Sequence, residues 1–94
     1  MTYELIFKPE ALAEWKKLDS SIKSQLKKVL AKRLENPRVE SAKLSGMPDC
    51  YKIKLRATGY RLVYKVEDEI ITVTVIAVGR RDKNAVYDKA IKRI

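Results

Sequence analysis

The stretch from Glu69 to Val78 constrains the fold of this chain more than any other segment. It reads EIITVTVIAV, and after its first residue it carries no charge, with valine or isoleucine at positions of both parities. Successive side chains of a strand point to opposite faces, so a strand that is apolar at both parities needs cover on both faces. The sequence therefore predicts a strand at 69–78 in the middle of a sheet that is covered on both sides.

Hydrophobic periodicity predicts the elements around this strand. Two early segments and the C-terminal segment space their apolar residues as helices do, and the other segments alternate as strands do. The predicted elements are a strand at 2–7, a helix from Pro9 to Leu18, a helix from Ile22 to Leu34, strands at 50–56 and 60–66, and a helix at 83–93.

The order βααβββα within 94 residues indicates a single small α+β domain, residues 1–94. We expect a mostly antiparallel four-stranded sheet with the two N-terminal helices on one face. The C-terminal helix should lie at the rim of the other, open face.

The predicted hairpin at 50–66, CYKIKLRATGYRLVYKV, has cations and no acidic residue. Alternation places its tyrosines on the inward face and its cations on the other: Lys52, Lys54, Arg56, Arg61 and Lys65. Lysines of this kind could keep an exposed edge soluble. The second explanation is a phosphate-binding face, because an ordinary solvated face mixes charges of both signs.

The net charge of +9 also favours a polyanionic partner, of which nucleic acid is the commonest. The positive excess lies in the second helix, the hairpin and the C-terminal tail. A basic chain that is kept soluble by its charge alone is the alternative.

The absence of histidine excludes His-based ribonuclease sites, Ser–His and Cys–His triads, and most catalytic zinc sites. A single cysteine can form neither an internal disulfide nor a structural zinc site, and no Gly-rich phosphate loop is present. We therefore expect no metal and no cofactor. The chemistry that remains is cationic catalysis on a phosphodiester, in which the 2′-hydroxyl of RNA attacks the adjacent phosphorus.

Lysine and arginine suit this reaction. A lysine among other cations has a lowered pKa and can act as a base, while arginine stabilises the phosphorane-like charge. Lys52, Lys54 and Arg61 fit these requirements. Arg80 and Arg81 follow the central strand, and the residues alone do not choose between them. Tyr87 could stack on a base or could be an aromatic residue at the rim of the core.

The sequence resembles the RelE toxins of bacterial toxin–antitoxin modules over essentially its whole length. The similar segments are ALAEWKKLDSSIKSQLKKVL, ENPRVESAKLSGMPD, GMPDCYKIKLRATGYRLVYKV and VIAVGRRDKNAVYDKAIKRI. The most specific part combines the Lys-x-Lys strand, the Gly-Tyr-Arg that follows, and the arginine and tyrosine near the C-terminus. The resemblance implies a ribosome-dependent endoribonuclease that cuts mRNA codons in the ribosomal A site, leaving a 2′,3′-cyclic phosphate and a 5′-hydroxyl.

The resemblance also implies partners and site residues. A RelB-like antitoxin would inhibit the toxin, and the complex would bind its own operator DNA and repress it. The family's catalytic set falls on Lys52, Lys54, Arg61, Arg81 and Tyr87. The other basic residues that we expect to contact RNA, chiefly phosphates of small-subunit ribosomal RNA, are Lys23, Lys27, Lys28, Lys32, Lys43, Arg56, Lys65 and Arg80.

Two other functions stay open at this stage. A gyrase poison of the ParE type would share the fold and the antitoxin pairing, but generally not this catalytic set. A non-catalytic nucleic-acid-binding domain would bind RNA or DNA without cleaving it. The chain has no apolar run long enough for a membrane helix and no recognisable signal peptide, so we expect a reduced, cytoplasmic protein without membrane contact.

Overall fold

A computed structural model describes residues 2–80 and 85–93 of the chain. Its strands are β1 (Glu4–Phe7), β2 (Cys50–Leu55), β3 (Tyr60–Glu67) and β4 (Thr72–Arg80), and its helices are α1 (Pro9–Lys16), α2 (Ser20–Glu35) and α3 (Ala85–Arg93), with a short 3-10 helix at Glu40–Ala42. The predicted order βααβββα is confirmed.

The four strands form one sheet in the order β1-β4-β3-β2. The pairs β2–β3 and β3–β4 are antiparallel, and β1 pairs with β4 in parallel. Strand β4 lies inside the sheet, and every residue from Thr72 to Val78 is buried. The prediction of a central strand covered on both faces is therefore confirmed, as is the mostly antiparallel sheet.

Two hydrophobic clusters cover the two faces of the sheet. The larger joins α1 and α2 to the sheet, and its buried members include Trp15, Leu26 and the stacked pair Tyr51 and Tyr64. The smaller joins Val63 and Ile76 to Val86 and Ala90 of α3. The two N-terminal helices thus lie on one face and α3 on the other, as the sequence predicted.

The bounds of β4 differ from the prediction at both ends. Residues 68–71 form a turn in which Ile71 adopts a positive φ of 49°, so the strand begins at Thr72 instead of Glu69. Strand β4 also has a bulge, because Val63 faces Ala77 while Tyr64 faces Val75, which leaves Ile76 as an extra residue. Because of this extra residue, the side chains beyond the bulge point to the faces opposite to those that simple alternation predicts.

No helix in the described part of the chain is both long and apolar enough to cross a membrane.

Candidate functional site

Three of the predicted site residues lie together on the open half of the α3 face. Lys54 is directly opposite Arg61 across the β2–β3 hairpin, and Lys52 is two residues before Lys54 on the same face of β2. Directly opposed side chains on neighbouring strands have Cβ atoms about 5 Å apart. The hairpin is closed by residues 56–59, where Gly59 takes the positive φ of 76° that the turn requires.

This cluster has an excess of positive charge at close range. The positive charge of Lys52, followed by that of Arg61, lowers the pKa of the Lys54 ammonium group. Within the described ranges, none of the three cations forms a salt bridge, whereas Arg38 elsewhere in the chain pairs with Asp49 and Asp68. The lowered pKa brings Lys54 closer to the range in which an amine can accept a proton.

Helix α3 brings Tyr87 to the same cluster. The Arg61 Nη1 group donates a hydrogen bond of 3.0 Å to the Tyr87 hydroxyl, and the guanidinium carbon lies 5.6 Å from the centroid of the tyrosine ring. Gly79 is the β4 partner of Arg61 and has no side chain. A Cβ atom at this position would lie 3.3 Å from a Val86 methyl group, so glycine allows α3 to pack closely here.

Of the two arginines predicted to follow the central strand, Arg80 and Arg81, the structure describes only Arg80. The sequence predicted that Arg80 follows the strand, but this residue is the last one of β4. Beyond the bulge it shares the face of Val78, and its guanidinium lies 5.8 Å from the ring centroid of Tyr60, on the side of the sheet that α1 and α2 cover. Arg81, to which the resemblance gives a catalytic role, lies outside the described residues.

The remaining predicted RNA-binding bases are distributed over three regions. Along α2, Lys27, Lys28 and Lys32 are exposed and Lys23 is partly exposed; Lys43 is exposed in the connector. Arg56 lies one residue beyond β2, in the turn, and Lys65 faces Cys50 across the hairpin. Arg56 lines two cavities together with Lys54, and the contacts of all these bases with RNA remain predictions.

Sequence analysis did not single out Arg33, which lies beside the cluster. Its Nη1 group donates hydrogen bonds of 3.1 Å to the Lys52 carbonyl oxygen and 3.0 Å to the Tyr64 hydroxyl. The sequence did contain a signal for Arg33. Position 33 follows Val29 by four residues and Leu30 by three, so an arginine interrupts the apolar stripe of α2.

The described residues include no group of three or more His, Cys, Asp or Glu side chains that could hold a metal ion. The functional groups that the structure brings together here are the ammonium and guanidinium groups and the phenol named above. Such a set can bind a phosphate, stabilise negative charge on it, and exchange a proton through Lys54.

Comparison with known proteins gives consistent results. Residues 5–85 match the family described as the ParE toxin of the type II toxin-antitoxin system parDE. The whole chain is 58% identical to the mRNA interferase toxin RelE of Escherichia coli strain K12 and covers 99% of that protein. A doubly substituted variant of E. coli RelE in the free state superimposes with a TM-score of 0.92 at 57% identity, over 100% of this chain and 99% of that chain.

The toxin in the intact E. coli RelBE toxin–antitoxin complex gives a TM-score of 0.83 at 58% identity, over 86% of this chain and 99% of that chain. Fold and family match together define a toxin of the ParE/RelE superfamily from type II toxin–antitoxin systems. Because the whole chain also matches E. coli RelE at 58% identity, the chain belongs to the RelE family within that superfamily.

Proposed function

We propose that residues 1–94 form one toxin domain that acts as an mRNA interferase, cutting mRNA codons in the ribosomal A site. The observation that supports this most directly is the cluster of Lys52, Lys54 and Arg61 with Tyr87, in a chain 58% identical over its full length to the mRNA interferase toxin RelE. Cleavage by attack of the 2′-hydroxyl would leave a 2′,3′-cyclic phosphate and a 5′-hydroxyl, and loss of the message would inhibit translation.

Proton removal from the 2′-hydroxyl falls to Lys54. Its pKa is lowered by Lys52 and Arg61, so a larger fraction is neutral near pH 7 than for an isolated lysine. Lys52 supports this role by its charge and also helps to neutralise the phosphate. Arg61 stabilises the charge of the transition state, because its guanidinium can donate two hydrogen bonds to phosphate oxygens.

Arg81 and Tyr87 complete the set. Arg81 supports the leaving 5′-oxygen, either as an acid or by its charge. Tyr87 orients the mRNA by stacking on a base or by a hydrogen bond, and in the absence of RNA its hydroxyl accepts a hydrogen bond from Arg61. That contact gives the Arg61 side chain a defined position before substrate arrives, which reduces the entropy lost on binding.

The other basic residues contribute to docking on the ribosome. Lys27, Lys28 and Lys32 face solvent on α2, where contacts with phosphates of ribosomal RNA would add affinity without reading sequence. Regulation follows from the pairing of toxin and antitoxin in the RelBE complex of E. coli. A RelB-like antitoxin inhibits this toxin in the cytoplasm, and their complex binds operator DNA as a repressor.

Mapping mRNA 5′ ends by primer extension in a translation extract tests the proposal. The wild-type protein should produce cuts within codons, and these cuts should disappear when translation is blocked. A variant with both Arg81→Ala and Tyr87→Ala should lose cleavage. A Lys17→Gln variant, changed at an exposed lysine just after the end of α1, should retain it. Intact mRNA together with inhibited DNA supercoiling would instead indicate a gyrase poison, and RNA binding without cuts would indicate a non-catalytic domain.

A further inference from the structure

A second basic cavity adjoins the candidate site on the far side of Lys54 from Arg61. It has a volume of about 310 Å³ and is lined by Arg33 of α2, Ser41 and Ala42 of the 3-10 helix, and Lys52, Lys54 and Arg56 of the hairpin. Four of its six lining residues carry positive charge and none is acidic. A hydroxyl group and four cations around one opening are the groups that bind a phosphate.

Arg33 is held in place before any ligand binds. Its Nη1 group uses both hydrogens, one to the Lys52 carbonyl oxygen and one to the Tyr64 hydroxyl. The Tyr64 hydroxyl in turn donates a 2.6 Å hydrogen bond to the Pro37 carbonyl oxygen, and the Arg33 guanidinium lies 5.9 Å from the Tyr64 ring centroid. In the part of the chain that the structure describes, the Nε and Nη2 groups of Arg33 donate no hydrogen bond, so they remain available to a ligand.

The cavity is continuous with the site of cleavage through shared residues. A neighbouring cavity of about 400 Å³ is lined by Lys54, Arg56, Tyr60 and Arg61, among others. Lys54 and Arg56 thus border both cavities, one containing Arg61 and the other containing Arg33. A nucleic-acid strand presents a phosphate at every nucleotide, and two adjoining basic cavities suit two successive phosphates of one strand.

We propose that the cavity formed by Arg33, Ser41 and Arg56 binds an mRNA backbone phosphate next to the scissile one. This inference rests on the proposed function and names a substrate-positioning residue, Arg33, that the catalytic set does not include. The fixed guanidinium binds one phosphate while Lys54 and Arg61 engage its neighbour, so the strand is held on both sides of the lysine that removes the proton. Two-point binding of this kind raises the affinity of the toxin for the strand without adding a group to the chemical step.

A purely structural role for Arg33 makes a different prediction. If the arginine served only to connect α2 with the sheet through Tyr64, then Tyr64→Phe should reproduce the effect of Arg33→Gln on activity. If it binds a phosphate, Tyr64→Phe should lower stability yet leave the concentration dependence of cleavage within about three-fold of wild type. These two variants therefore separate packing from substrate binding.

Single-turnover cleavage on ribosomes stalled with a defined A-site codon, measured over a range of toxin concentrations, tests the proposal. Arg33→Gln should raise the half-saturating toxin concentration about ten-fold, the size expected for losing a charge-assisted contact, with the rate at saturation within about three-fold of wild type. Lys17→Gln removes the same charge from an exposed position and should change neither quantity. An Arg33→Gln protein that saturates at the wild-type concentration would overturn the proposal.

A chemically modified mRNA identifies the ligand. Replacing the neighbouring phosphate by an uncharged methylphosphonate should weaken wild-type toxin about as much as Arg33→Gln does, and should weaken Arg33→Gln little further. If Arg33→Gln raises the half-saturating concentration equally on the unmodified and the methylphosphonate mRNA, the assignment is refuted. The ligand of Arg33 would then lie elsewhere, for example on ribosomal RNA. Wild-type cleavage in the same assay shows separately whether the proposed function holds.

A substitution at Ser41 provides a test that leaves the hydrogen bonds of Arg33 intact. Ser41→Asp places a carboxylate in the cavity and should raise the half-saturating concentration at least ten-fold through repulsion of the phosphate. Ser21→Asp makes the same change at the start of α2, twelve residues and therefore about 18 Å along the helix from Arg33. Equal behaviour of the two aspartate variants would contradict a phosphate in this cavity.

Discussion

Replacement of Glu14 tests how the C-terminal helix is held on the sheet. The Oε1 atom of Glu14 accepts hydrogen bonds from the Val78 amide at 3.2 Å and from Arg93 Nη1 at 2.8 Å. Its Oε2 atom accepts from Arg93 Nη2 and from Lys89, both at 3.2 Å. The same Arg93 Nη1 group donates to the Ile76 carbonyl oxygen at 3.0 Å. One carboxylate on α1 therefore connects β4 with the end of α3, the helix that carries Tyr87.

The size of the effect follows from the exposure of each partner. The side chains of Glu14 and Arg93 are only 20% and 16% exposed, so their two-pronged contact should contribute about 1.5–3 kcal/mol. Lys89 is 51% exposed and should add less than about 0.5 kcal/mol. Loss of the acceptor for the Val78 amide costs about 1 kcal/mol more. Glu14→Ala should therefore lower the free energy of unfolding by about 3 kcal/mol and Tm by about 15 °C.

Urea denaturation followed by the fluorescence of Trp15, the residue after Glu14, measures this free energy. A double-mutant cycle with Arg93→Ala should give a coupling energy of at least about 1.5 kcal/mol, while Lys89→Ala alone should cost less than about 0.5 kcal/mol. A Glu14→Ala cost below about 1 kcal/mol, or a coupling energy near zero, would refute the view that this contact holds α3 on the sheet.

The pH dependence of stability provides a second test of the same carboxylate. Burial raises the pKa of Glu14, but hydrogen bonds from Arg93, the Val78 amide and Lys89 outweigh it, so the pKa lies below its ordinary value of 4.5. A lowered folded-state pKa means that the stabilisation is complete above pH 4.5 and is lost as pH falls through the folded-state value. The stability difference between wild type and Glu14→Gln should therefore shrink below pH 4.5. A difference that stays constant to lower pH would contradict this assignment.

Three further predictions concern the site and its support. Lys52→Gln removes the main cause of the lowered Lys54 pKa, so the rising limb of the pH–rate profile for cleavage should move to higher pH; an unmoved limb would argue against Lys54 as the base. Tyr87→Phe removes the hydroxyl that Arg61 contacts and should lower kcat/KM about five-fold. Tyr87→Ala also removes the ring and should lower kcat/KM at least ten-fold more. Equal losses in the two variants would exclude stacking. Tyr64→Phe leaves a buried carbonyl oxygen without its donor and should cost about 2 kcal/mol of unfolding free energy; a cost under about 0.5 kcal/mol would show that water replaces the hydroxyl.

Much of the fold followed from periodicity. The apolar run ending at Val78 predicted a central strand, and alternation on the hairpin predicted that Lys52, Lys54 and Arg61 share a face; the structure confirms both. These inferences succeed because side-chain direction along a strand depends only on local geometry. The start of β4 was predicted three residues too early, because Ile70 and Ile71 suit a strand by type while the chain uses them in a turn.

Contacts between distant residues were beyond the reach of the sequence alone. The position of Arg80 depends on the bulge at Ile76, which arises only where β3 and β4 pair, so no pattern within one strand reveals it. The contact between Arg61 and Tyr87 spans 26 residues, and that between Glu14 and Arg93 spans 79. The pairing of Arg33 with Tyr64 likewise depends on how α2 lies across the sheet.

The sequence by itself determined the order of elements, the face that carries the hairpin cations, and the absence of histidine chemistry. Each follows from residue types, or from the repeat of side-chain direction every two residues in a strand and every 3.6 residues in a helix. Local backbone geometry sets both repeats. Only the tertiary structure decided which other groups lie near those cations and which do not. Tyr87 contacts Arg61 and Arg33 contacts the Lys52 carbonyl, whereas Arg80 lies on the opposite side of the sheet. These positions depend on strand register and helix packing. No single segment determines them, because register and packing are set by the whole core.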